Sequence, residues 1–167
     1  MTGIPVAALE AAVYEAHRLA ATVLPDDVRL AFERMAQRET EPLPHRVMHE
    51  ILDNVEIAKT DQRPICADVG VPRLYVVVGD KARLEDGFVA FERAARAATA
   101  RITRDLAMRS NRCHPLTREN PGDNVGVFAP NIEYRFEPDA DWFEITAVHK
   151  GGAFGSDFRM LVDGDGL

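Results

Sequence analysis

The chain's pattern predicts an α+β fold: a helical N-terminal part, then mixed or antiparallel strands packed around one long helix. Three observations point there. Apolar residues recur at three- and four-residue spacing through the first sixty positions; a β-branched run at 74–78 breaks that period; and an Ala/Arg-rich helical pattern over 84–108 precedes two strand-like segments.

Each element follows from its own residues. From Val6 to Val23, Leu9, Ala12, Val13, Ala16, Leu19 and Ala20 form one apolar stripe on a helix. Pro25-Asp26-Asp27 reads as a break and capped restart, and Val28, Phe32, Met35 and Ala36 carry a second helix to about Gln37. Two prolines in Glu39–Pro44 mark a connection. A third helix starts near His45, with Val47, Ile51, Leu52, Val55 and Ile57 facing inward. Pro64 and Gly70 bracket a loop. Leu74-Tyr75-Val76-Val77-Val78 predicts a buried strand. The long helix buries Phe88, Phe91, Ala95, Ala98, Ile102 and Leu106, and a polar loop occupies 109–124. Val127–Phe136 and Trp142–Val148 read as two strands, and the turn Pro138-Asp139-Ala140-Asp141 between them predicts a hairpin. Trp142 and the phenylalanines are expected in the core.

Composition bounds the rest. With 167 residues, 46% hydrophobic and 28% charged, the chain fits a single globular domain, 1–60 helical and 61–167 α+β. A net charge of −7 disfavours nucleic acid and anionic membrane as partners. No apolar run is long enough to span a bilayer, and no basic leader precedes one, so neither membrane span nor signal peptide is expected. Two cysteines, Cys66 and Cys113, argue against a disulfide framework and suit a reducing cytoplasm.

Three segments carry candidate chemistry. In Pro64-Ile65-Cys66-Ala67-Asp68-Val69-Gly70 a loop cysteine can reach a metal centre with an acid beside it; a buried Cys and a turn-capping Asp explain the same residues. Residues 101–124 hold five arginines (Arg101, Arg104, Arg109, Arg112, Arg118) against three acids. Their planar forks suit carboxylates, while a solvated helix end favoured by the helix dipole is the simpler account. Lys150 to Ser156 is glycine-rich: its backbone N–H groups can cradle an anion, or it is a turn. His45 and His49 stand at metal-binding spacing without an evident third ligand. They read as a solvated face rather than the site of a metal hydrolase.

In order and spacing, PICADVG, AMRSNRCHPLTRENPGDN and KGGAFGS resemble the iron–sulfur (class I) fumarase and tartrate dehydratase α-subunit family. That family carries P-[IM]-C-Q-D-T-G, then P-L-x-x-x-N-[TS]-G-x-N, then K-G-G-G-S, and the likeness covers roughly residues 45–160 of the N-terminal portion. The resemblance implies a hydro-lyase acting on a small dicarboxylate of fumarate/malate, tartrate or mesaconate type. It implies Cys66 as one of three thiolate ligands of a [4Fe–4S] cluster, Asp68 as an active-site acid, Arg109 as the grip on a substrate carboxylate, and Gly151 and Gly152 as a backbone turn near the substrate. Three cysteines on four irons leave one iron open as a Lewis acid. Ala67 and Val69 depart from the family's Gln and Thr, and Phe154 interrupts the glycine run.

The family's other two cluster cysteines fall beyond the glycine loop. The resemblance therefore implies completion by other parts or subunits of a hydro-lyase in a homo- or hetero-oligomer, the chain being a truncated piece, one part of a split enzyme or a relic. The alternative is a non-catalytic degenerate homologue that binds a dicarboxylate or a protein partner.

Overall fold

The computed structural model describes residues 3–114 and 116–151. Three helices come first: α1 (Val6–Thr22), α2 (Asp26–Arg38) and α3 (Pro42–Asp61). They are followed by β1 (Val71–Gly79), α4 (Gly87–Asp105), β2 (Asn131–Glu137) and β3 (Phe143–Lys150). The α+β expectation holds, with one mixed three-stranded sheet in the order β2-β1-β3.

The β-branched run becomes the central strand, because its side chains need a neighbour on each side and a covered face. Leu74, Val76 and Val78 are buried, and with Leu9, Val13, Phe91, Ala95 and Ala98 they form the main core between the sheet and helices α1 and α4. Phe91 anchors it, edge-on to Phe143 with ring centroids 5.1 Å apart.

The hairpin expected of the last two strands does not form. β1 lies between them, parallel to β2 (Tyr75 opposite Glu133) and antiparallel to β3 (Tyr75 opposite Thr146). Pro138–Asp141 does turn, but it carries the chain over the end of β1. There Gly79 N–H donates to Trp142 O at 2.9 Å, Asp80 N–H to Glu137 O at 3.0 Å and Lys81 N–H to Ala140 O at 2.9 Å. The central strand's own edges outweigh the local pairing.

Other differences concern which face is buried. On α1 the buried stripe is Leu9, Val13, His17 and Ala21, whereas Leu19 is exposed. On α3 only Val55 and Ala58 are buried, and Val47 and Ile57 face solvent, because α3 packs chiefly on α2. Phe88, Phe128, Phe136 and Trp142 are also exposed. Among the described residues no helix is long and apolar enough to cross a membrane.

A second, smaller core of Ala21, Val69, Ile102 and Met108 lies where α1 and α4 end. The candidate site sits over it.

Candidate functional site

The loop carrying Cys66 is pinned on both sides. α3 stops at Gln62, which takes a left-handed conformation (φ 53°), and Arg63 N–H returns to Ala58 O at 3.0 Å. Ile65 N–H then donates to Ala21 O at the end of α1 (2.9 Å), while Ile65 O accepts from the Asn54 side-chain amide of α3 (2.9 Å). Four residues on, Val69 is buried in the smaller core. Held at 65 and 69, the loop leaves Cys66 and Ala67 exposed.

Arg109 reaches the same place from α4. That helix closes with two overlapping bonds, Met108 N–H to Thr103 O at 2.8 Å and Ala107 N–H to Arg104 O at 3.1 Å. Ala107 sits at φ 49°, the left-handed position such a cap requires. Met108 turns into the core and Arg109 emerges on the surface.

Cys66 and Arg109 thus line one open hollow of about 830 Å³, together with Arg63 and Asp105. Arg63 is a second guanidinium that the sequence reading did not single out; its place just ahead of Pro64 in the cysteine motif is the signal available. Of the other arginines in the basic stretch, Arg101 pairs with Glu10 (3.1 Å) and covers the Tyr14 ring, and Arg112 donates to Val127 O (2.8 Å). Tyr14 donates to Asp105 Oδ2 at 2.9 Å on the hollow's edge, and burial first, then this bond, raises the phenol above its usual range.

Lys150 and Gly151, at the start of the glycine-rich segment, meet the cysteine loop. Gly70 lies at φ 86°, and a β-carbon there would stand 2.2 Å from the Lys150 carbonyl carbon. A β-carbon on Gly151 would stand 2.9 Å from Asp68 Oδ2. Glycine at 70, where a β-carbon would run into backbone, allows the end of β3 to lie along residues 68–70. The structure therefore brings Cys66 and Arg109 to one hollow and places Asp68 against Gly151. Gly152, Ala153 and Phe154 lie outside the described residues.

Just before the glycines, His149 points into the body and its Nε2 lies 3.0 Å from Nδ1 of His17. Thr99 Oγ1 lies 3.2 Å from His17 Nε2 and donates its own proton to Ala95 O at 2.8 Å. The hydroxyl is thus the acceptor, which assigns the proton on His17 to Nε2 and that of His149 to its Nε2. Nδ1 of His149 is buried with no hydrogen-bond partner among the described residues. Burial, and secondly the neighbouring imidazole, hold His17 down to about 3; burial holds His149 down to about 4. The pair is neutral and structural.

As a metal centre, the described residues are incomplete. Cys66 and Cys113 are both free, and Cys113 lines a separate hollow beside His114. Among the described residues no three His, Cys, Asp or Glu side chains gather to hold a metal. One exposed thiol fits one corner of an iron–sulfur cluster and not a whole one. His45 and His49 are exposed, with ring centroids 4.5 Å apart and the rings tilted by 50°, as a solvated face.

Comparison with known proteins bears on the same motifs. Residues 10–167 match the family described as fumarate hydratase (Fumerase). A putative L(+)-tartrate dehydratase subunit alpha of Methanocaldococcus jannaschii is 33% identical over 158 residues, covering 93% of this chain and 55% of that protein. A putative class I fumarate hydratase of Geobacillus stearothermophilus is 30% identical over 78% of this chain and 25% of its own length. The L(+)-tartrate dehydratase subunit alpha of Escherichia coli K12 is 28% identical over 78% and 42% respectively. The chain spans at most about half the length of these relatives. With the match running through all three motifs and nearly the whole chain, the protein belongs to the fumarate hydratase (Fumerase) family.

Proposed function

We propose that this chain supplies the N-terminal part of an iron–sulfur hydro-lyase that adds water to, or removes it from, a small dicarboxylate of fumarate/malate or tartrate type. One observation carries the reading: an exposed thiol and an arginine, Cys66 and Arg109, line the same open hollow. Arg63 and Arg109 bring two guanidiniums to a hollow that Asp61 and Asp105 also line, so the support for an anion there is the planar fork of Arg109 rather than a net positive field.

In this reading Arg109 grips one carboxylate of the substrate, and a bidentate fork fixes its orientation. Asp68 handles the proton, its carboxylate held against Gly151, and Gly151 and Gly152 give the backbone turn beside the substrate. Cys66 is one thiolate ligand of a [4Fe–4S] cluster whose remaining ligands come from elsewhere in the assembly. The relatives named as alpha subunits support completion by a second polypeptide. A free, exposed thiol suits a reducing cytoplasm.

A second reading draws on the lack of three gathered metal-ligating side chains among the described residues. Here the chain is a degenerate relative that binds a dicarboxylate, or a protein partner, without a cluster.

Anaerobic co-expression with the complementary polypeptide separates the two. Hydro-lyase function predicts a brown, iron-containing complex that converts fumarate, malate or tartrate. An Arg109→Ala variant should lose at least about tenfold in kcat/KM, the scale of one charged hydrogen bond. A complex without iron, or no complex, leaves only the binding reading.

A further inference from the structure

The loop after α4 is built around the backbone on either side of Arg109. Asn124 is fully buried and left-handed (φ 59°). Its Oδ1 accepts from Asn111 N–H at 2.7 Å, and its Nδ2 donates to Arg109 O at 3.1 Å. The same amide faces Thr103 Oγ1 at 3.4 Å, whose proton goes to Thr99 O at 2.8 Å, so Asn124 is tied to the last turns of α4. Asn120 holds the residue between: its Oδ1 accepts from Ser110 Oγ at 2.6 Å and its Nδ2 donates to Ser110 O at 2.9 Å. It also accepts from Gly122 N–H at 2.9 Å, which closes the loop on itself.

We infer that Asn124 and Asn120 are positioning residues for Arg109, two side-chain amides that clamp residues 109–111 so the guanidinium is presented at the hollow it shares with Cys66. This rests on the proposed role of Arg109 as the carboxylate grip. A charged hydrogen bond depends on geometry held within a fraction of an ångström, and Arg109 stands where the helix has already ended. Its own backbone has no ladder to hold it. An amide is the side chain for this task because one plane offers an acceptor to Asn111 N–H and donors to two oxygens. An aspartate at 124 would face the Arg109 carbonyl with a lone pair.

The test uses the full, isotope-labelled chain as wild type, Asn124→Gly, Asn120→Ala and Arg109→Ala. Glycine is chosen at 124 because alanine would add strain at a positive φ. The Ser110 backbone order parameter should fall from about 0.85 toward about 0.6 in both asparagine variants, with Thr99 unchanged. Titrated with tartrate, each asparagine variant should bind about tenfold more weakly, and that loss should vanish where Arg109 is already alanine. A merely structural role gives the same loss in both backgrounds. Unchanged order at Ser110, or an equal loss with and without Arg109, overturns the inference. Wild type binding tartrate no better than Arg109→Ala overturns the role of Arg109 itself, and the order parameters, which need no ligand, tell that failure from a failure of the clamp. Should Asn124→Gly not fold, Asn120→Ala, altered in the exposed part of the loop, decides alone.

Discussion

The carboxylate of Asp68 lies so close to the backbone of Gly151 that a β-carbon there would stand 2.9 Å from Oδ2, whereas at Gly70 it would meet the Lys150 backbone at 2.2 Å. The two glycines differ in what must yield. At Gly151 the nearest obstacle is the far end of a side chain, which can rotate away, and the Asp68 carbonyl oxygen stands next at 3.2 Å. Gly151→Ala should therefore cost only about 1 kcal/mol of stability while displacing the Asp68 carboxylate. Gly70→Ala meets backbone and a positive φ (86°), and should cost more than about 2 kcal/mol. Urea denaturation of the two variants checks the contrast; equal destabilisation would show that the 68–70 segment moves as freely as a side chain.

The imidazole pair makes stability depend on pH. Unfolded, His17 and His149 each take a proton near the usual 6.5; folded, they resist it down to about 3 and about 4. The unfolded chain thus binds more protons between these limits. Stability is full above pH 6.5 and falls as pH drops toward 4, by roughly 3 kcal/mol per pH unit when both contribute. Chemical denaturation at pH 7, 6 and 5 should show this decline, and His149→Gln should halve its slope. A flat profile would mean that the pair is protonated or solvated in the folded chain.

How much of this was legible in the sequence depends on the range of the interactions. Leu74 to Val78 announces a strand because a β-branched run suits a pleated surface, although its burial is one-sided, with Leu74, Val76 and Val78 buried and Tyr75 exposed. The place of that strand between β2 and β3 is not legible, since chain adjacency of Pro138–Asp141 to both outer strands favours a hairpin. His17 looks polar on a helix wheel, and its burial becomes intelligible only through Thr99 and His149, 82 and 132 positions away. Cys66 and Arg109 were legible as candidates through the ordered motifs of a family. Arg63 joins them through three-dimensional closure, its place just ahead of Pro64 being the one hint in the sequence.

Phe91 is fully buried and packs edge-on against Phe143, at the centre of the sheet–helix core. Phe91→Ala should cost about 3–5 kcal/mol, through lost transfer energy and the cavity left among Leu74, Val76 and Ala95. Phe88, also on α4 but 41% exposed, should lose far less on truncation to alanine. Thermal melts of both variants test which face of α4 carries the core, and similar losses would refute the assignment.

Cys66 and Cys113 should be separable by their surroundings in the isolated chain. Cys66 is exposed on the loop pinned at Ile65, whereas Cys113 is half-buried beside His114. Access controls the rate at which a thiolate meets a small electrophile, so a maleimide in sub-stoichiometric amount should label Cys66 ahead of Cys113, as peptide mass mapping would reveal. If Cys66 ligates a cluster in the assembled enzyme, its labelling should be suppressed in the anaerobic complex and return on iron chelation, while Cys113 is labelled at the same rate throughout. Labelling of Cys66 that is indifferent to iron would remove it from the metal centre and leave the guanidiniums of Arg63 and Arg109 to carry the hollow's chemistry.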